Sequence, residues 1–262
     1  MTSKTRAKLG VEQRNHTTLI TIDNPPANTW DEENLDALRA LVDRCNDDNN
    51  VYALVVTGQG EKFFSAGADL KLFADGDKTI ARDMADHFGS AFEALAKFRG
   101  VTIAAINGYA MGGGLECALA CDIRIAESHA QMALPEPTVG LLPCGGGTQN
   151  LAWVVGEGWA KRMILCGERI TAPRAKEIGL VEEVVDAGQS LGRALELAEM
   201  VGKQSPPAVA ACKDLIQRAR GGNIADAYAH ERDAFVALFD TQDQKEGVIA
   251  FLEKRDPDWV NG

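Results

Sequence analysis

The sequence predicts an α/β protein whose last third is helical, and three observations carry that prediction. Short runs rich in β-branched residues recur along the first two-thirds of the chain, amphipathic helical stretches fall between them, and from about Glu157 onward strand signals give way to helices. With 262 residues there is chain enough for one large domain, or a core with a smaller packed appendage, and no disulfide staple is needed.

The strand-like runs are Thr18 to Ile22, Tyr52 to Thr57, Val101 to Asn107 and Asp122 to Ala126. Between the first two, Asp31 is placed to cap a helix, Glu32 and Glu33 suit its first turn, and Leu35, Leu38, Leu41, Val42 and Cys45 share one face. Strand, helix, strand in that order implies a parallel crossover. A second helix over roughly Ile80 to Lys97 precedes the third strand, so the unit repeats. Further on, Thr171 with Pro173 opens a short helix that Gly179 closes. Ser205 before Pro206 and Pro207 opens a longer one, and Ile224 to Asp240 and Gln244 to Lys254 are two more. Such a helical appendage is a natural place for oligomer contacts.

Composition narrows the partners. A net charge of −11 argues against nucleic acid, whose binders carry a dense basic face, and leaves room for a small anionic ligand held by a few local cations. The segment Met1 to Lys8 is polar and basic with no apolar stretch behind it, and no run approaches the roughly 20 apolar residues of a membrane span. A soluble, cytoplasmic protein without membrane contact is expected. The six cysteines, Cys45, Cys117, Cys121, Cys144, Cys166 and Cys212, read as reduced thiols. Cys117 and Cys121 have no second Cys/His pair at ligand spacing, so no metal is expected.

Two glycine clusters stand out, Gly112-Gly113-Gly114 and Gly145-Gly146-Gly147, each leading into an apolar helix-like stretch (Leu115 to Ala120, Leu151 to Val155). They serve either close packing at tight turns or, through free N–H groups at a helix start, an anion or developing oxyanion. No GxGxxG follows Gly108 and no GxxxxGK[ST] occurs anywhere, which weakens a nucleotide reading. Ser65-Ala66-Gly67-Ala68-Asp69 is a third small-residue segment of this kind, with Asp69 placed for the positive end of a helix dipole. Glu116 follows the first triplet among Leu115, Cys117, Ala118 and Leu119; Glu136 sits between Pro135 and Pro137, where extended backbone is favoured. An isolated glutamate is ordinarily exposed or salt-bridged. Carboxylates in apolar surroundings beside donor loops instead point to raised pKa values and general acid/base work.

The segments Phe63-Phe64-Ser65-Ala66-Gly67-Ala68-Asp69-Leu70, Ile106-Asn107-Gly108-Tyr109-Ala110-Met111-Gly112-Gly113-Gly114-Leu115-Glu116, Cys121-Asp122, Pro135-Glu136 and Gly146-Gly147-Thr148-Gln149 resemble the signature of the crotonase, or enoyl-CoA hydratase/isomerase, superfamily. The similarity runs in order from about Leu19 to Trp259. It implies the crotonase (ClpP-like) fold: repeated ββα units forming two roughly perpendicular sheets over residues 1–200, and a helical C-terminal region, 201–262, that drives trimers, often paired into hexamers. It further implies an acyl-CoA thioester as ligand, no metal or redox cofactor, and a place in fatty acid metabolism.

Carried residue by residue, the resemblance implies oxyanion donors at the N–H groups of Ala66 and Gly113, a substrate loop over Ala66, Gly67, Ala68 and Asp69, and catalytic carboxylates at Glu116 and Glu136. Hydratases resemble this chain in keeping both glutamates, whereas isomerases commonly keep only the position of Glu136, so the chain is expected to hydrate a 2-enoyl-CoA. Glu116 would activate water and Glu136 deliver a proton to the α carbon. The alternatives are a 3-enoyl to 2-enoyl-CoA isomerase and a non-catalytic acyl-CoA-binding member. Phe251 and Lys254 match residues that contact the CoA of a neighbouring subunit, against the plainer reading of packing and a solvated charge; Lys62 and Lys71 are further phosphate candidates. Two departures bear on the site: Cys144 stands where the family pattern has glycine, and Asn150 where it has arginine.

Overall fold

The structure, a computed structural model, describes residues 7–262, so most of the basic Met1 to Lys8 segment lies outside the described residues. A hairpin of β1 (Leu9–Arg14) and β2 (Thr17–Ile22) leads into α1 (Glu32–Asp47) and then β3 (Ala53–Gly58). Asp31 caps α1 as expected. Its carboxylate accepts from the Asn34 N–H at 3.2 Å while Asn34 Oδ1 accepts from the Asp31 N–H at 2.8 Å, a reciprocal box that satisfies two donors at once. Leu35, Leu38, Leu41, Val42 and Cys45 form the buried stripe of this helix.

Three ββα units follow. The first is β3, β4 (Phe63–Ser65) and α2 (Lys78–Lys97); the second is β5 (Val101–Ile106), β6 (Tyr109–Met111) and α3 (Gly113–Ala120); the third is β7 (Ile123–Glu127), β8 (Gln131–Ala133) and α4 (Gly147–Leu165). The long strand of each unit joins a six-stranded sheet in the order β1-β2-β3-β5-β7-β10, and the short strand joins a second sheet, β4-β6-β8-β9. Here β9 is Ile170–Thr171 and β10 is Glu183–Val185. The β2–β3, β3–β5 and β5–β7 pairings are parallel, as the crossover reading requires. These central strands are buried on both faces, between a large core that includes α1, α2 and α3 and a smaller one closed by α6 (Ser190–Val201).

The remaining helices are α5 (Ala172–Glu177), α7 (Pro206–Arg218), α8 (Ile224–Ala237) and α9 (Gln242–Glu253). Gly179 ends the α5 segment in the left-handed conformation at φ +76°. A chain of contacts seats the C-terminus: Asp243 Oδ1 accepts from the N–H groups of Val260 and Asn261, and Asn261 donates to the Asn49 carbonyl. α7 to α9 nonetheless leave Ile216, Phe235, Val236, Phe239, Val248 and Phe251 exposed. No described helix is long and apolar enough to cross a membrane, and all six cysteines are free.

Candidate active site

The short sheet positions the site. β4, β6 and β8 run parallel, and past their carboxyl ends lie the Ala66 loop, the Gly112 turn into α3, and Glu136. Ligands of α/β folds bind at that end of a sheet. The three loops line a cleft of ≈ 390 Å³ whose apolar wall includes Leu70, Phe73, Phe88 and Leu142.

Glu116 sits on the first turn of α3 and is only 2% exposed. Its Oε1 accepts from the backbone N–H groups of Gly145 and Gly147, both at 2.8 Å. The second glycine cluster therefore fixes the carboxyl that follows the first. Burial drives the Glu116 pKa up to about 7; the Gly147 and Gly145 hydrogen bonds oppose that rise and the nearby Glu136 charge adds to it. Glu136 is also raised by burial, and its Oε2 is buried without a hydrogen-bond partner among the described residues, which disfavours the charged form in the same direction. Its Oε1 lies beside Gly112, where a Cβ would come within 3.0 Å of it.

The backbone at Glu136 differs from the extended conformation expected before proline: Glu136–Val139 is a 3₁₀ turn. The turn wins because the Pro135 carbonyl accepts both the Thr138 N–H at 2.9 Å and the Thr138 hydroxyl at 2.7 Å, and Gly140 closes it at φ +74°.

The Ala66 assignment needs correction. The Ala66 N–H donates to the Ala27 carbonyl at 3.0 Å and is not free for a ligand. Trp30 and Ala68 form a parallel bridge, with Trp30 N–H to Gly67 O at 2.8 Å and Asp69 N–H to Trp30 O at 3.2 Å. In such a bridge the N–H of the paired residue points away from the neighbouring strand. The Ala68 N–H is thus turned from Trp30, and no partner holds it among the described residues. Gly113 begins α3, and its N–H precedes the first intrahelical bond, Glu116 N–H to Gly112 O. Gly67 makes the two loops touch: at φ +88°, a Cβ on it would stand 2.7 Å from Met111 O and 3.0 Å from Gly113 N, so only glycine fits.

The other candidates separate. Ala66, Gly67, Ala68 and Gly113 line the cleft, and Asp69 does not; its side chain caps the 3₁₀ turn Leu70–Phe73 through the Lys71 N–H at 3.1 Å. Phe251, 83% exposed, and Lys254, which ends α9 at φ +57°, are outside the cleft of their own chain. Lys62 lies over the Phe63 ring, 5.2 Å from its centroid, and Lys71 is exposed. Cys121 Sγ donates to the Cys117 carbonyl. Cys144 lines the cleft; its thiol is pushed up to about 11 by burial first and then by the charges of Glu116 and Glu136.

The Enoyl-CoA hydratase/isomerase family matches residues 12–262. The chain belongs to that family. Among curated hydratase/isomerase relatives, a short-chain-enoyl-CoA hydratase of Clostridium acetobutylicum is 37% identical, over 94% of this chain and 94% of that protein. Among solved structures, Pseudomonas aeruginosa DspI is 65% identical with a TM-score of 0.95, covering 98% of both chains. The enoyl-CoA hydratase of Bacillus anthracis is 35% identical with a TM-score of 0.94, covering 98% of this chain and 100% of the other. The crotonase fold expected from the sequence is therefore the fold of this family member.

Proposed function

We propose that the protein is an enoyl-CoA hydratase that adds water to a 2-enoyl-CoA thioester to give the 3-hydroxyacyl-CoA. The observation that carries this reading is the pair of desolvated carboxyls in one cleft: Glu116 pinned by two backbone donors and Glu136 with an unpaired buried oxygen. Glu116 takes a proton as water oxygen bonds to C3 of the substrate, and the C2–C3 double bond shifts toward the thioester. The enolate oxygen that forms accepts hydrogen bonds from the N–H groups of Ala68 and Gly113. Donors so placed contribute about 3–4 kcal/mol each to such a step. Glu136 then gives its proton to C2. Dehydration of the 3-hydroxyacyl thioester is the same path reversed. The reaction is redox-neutral and asks for no cofactor beyond the CoA of the substrate.

The reading extends to a cytoplasmic homotrimer, or dimer of trimers, in which Phe251 and Lys254 meet the CoA bound by a neighbouring subunit. The apolar residues left exposed on α7 to α9 support it. Sedimentation of a fully active protein only as monomer at micromolar concentration would remove both the assembly and the shared CoA contact. Product analysis with 2-enoyl and 3-enoyl thioesters tests the chemistry itself. Hydration of the former is expected, and turnover confined to 3-enoyl substrates would replace this reading with an isomerase.

A further inference from the structure

The catalytic cleft has a neighbour. A second cavity of ≈ 600 Å³ lies where α2, α4 and the end of α7 meet, and among the described residues Cys144 alone lines both. The partition between them is thin. Phe88 faces the cleft and Phe92, one turn further along α2, faces the second cavity; their rings pack edge to face at 5.6 Å. Gly145 completes the partition, since a Cβ there would stand 2.7 Å from the Phe92 ring and 3.2 Å from Glu116 Oε2.

The cavity has the chemistry of a chain-binding groove. Phe92, Ala96 and Trp153 give it apolar walls, Gln149, Asn150 and Gln217 contribute amides, and Gly89, Gly145 and Gly146 add no side chains to fill it. Its charged lining residues are exposed and each has a partner within the lining: Lys97 holds Glu93 at 2.9 Å, and Arg220 lies over the Trp153 ring at 5.3 Å. Both departures from the family pattern fall here. Asn150 lines the cavity, where an arginine would project a longer side chain into it. Cys144 stands at the junction as a neutral, polarisable thiol, which behaves as a small apolar group.

We infer that the second cavity receives the distal part of a long, unbranched acyl chain, which leaves the reacting carbons between Glu116 and Glu136, passes Cys144 and runs along Phe92, Ala96 and Trp153. This inference rests on the acyl thioester reading above and adds to it a length class and a route. The test uses a series of linear 2-enoyl-CoA substrates from four to twelve carbons with wild type, Ala96→Trp and Asn150→Arg, two substitutions that fill the cavity from different helices. The ratio of kcat/KM for the twelve-carbon over the four-carbon substrate is expected to fall about tenfold or more in each variant, because several methylenes lose their buried contacts. A ratio within about twofold of wild type in both folded variants overturns the inference. If one variant does not fold, the other decides. Calorimetric binding of saturated dodecanoyl-CoA against butanoyl-CoA reads the same route without catalysis: wild type that hydrates nothing would end the hydratase reading, whereas affinity for the long chain falling selectively in the variants would still support the route.

Discussion

Replacing Glu116 by glutamine should disable hydration and at the same time stabilise the fold at alkaline pH. Burial lifts the folded-state pKa of Glu116 from 4.5 to about 7, so folding favours the protonated acid. That contribution is whole below the unfolded value and is lost as pH climbs through about 7, where the buried group ionises at a cost of about 3 kcal/mol. Glutamine does not titrate, and its side-chain oxygen still accepts from the Gly145 and Gly147 N–H groups that hold Oε1 in the parent. The advantage of Glu116→Gln should be near zero at about pH 4 and full at about pH 8.5, on the order of 5–10 °C in Tm for a chain of this size. Thermal unfolding of both proteins at matched concentration and at both pH values measures it. A Glu116→Gln protein no more stable than wild type at alkaline pH, or a gap equal at the two pH values, would refute the placement of Glu116 as a strained, desolvated base.

Activity should carry the same signature. The kcat/KM for hydration is expected to rise with pH through about 7 as Glu116 loses its proton, the apparent value belonging to the two neighbouring carboxyls together; an acid limb in the ordinary carboxylate range would contradict it. Gly147→Ala places a Cβ 2.8 Å from Glu116 Oε1 and 2.9 Å from Pro143 Cβ. It should lower kcat by about 10²-fold through misplacement of the base, with KM much less affected. Cys144 is exposed but its thiol is raised to about 11, so iodoacetamide should alkylate it only slowly at neutral pH and much faster as pH approaches that value, as followed by peptide mass spectrometry; rapid alkylation at neutral pH would contradict it.

The long elements of this fold announce themselves because each satisfies one local rule over many residues: β-branched runs for the central strands, and a 3.6-residue stripe behind Asp31 for α1. The second sheet is less visible. β4, β6 and β8 each span three residues, too few for a period-2 pattern to emerge. β1 carries Glu12 and Arg14 on an edge and lacks the apolar run that marked its partner. α6 packs small residues, Ala194 and Ala198, against the sheet and gives a weak stripe. At the site, the burial of Glu116 was legible from its apolar neighbours, but its partners Gly145 and Gly147 lie 29 and 31 residues away, and only the fold brings them in. The choice between Ala66 and Ala68 as donor turns on which N–H faces Trp30 and Ala27, a register that no local sequence pattern encodes.

Hydration by this cleft requires two carboxyls acting as one unit, and the rates of wild type, Glu116→Gln, Glu136→Gln and the double variant test that most directly. Each single substitution is expected to cost on the order of 10²–10⁴ in kcat, and the double variant should be little worse than the poorer single, because residues that serve one step are strongly non-additive. Undiminished hydration by Glu116→Gln, or losses that simply multiply in the double variant, would contradict the paired-glutamate mechanism.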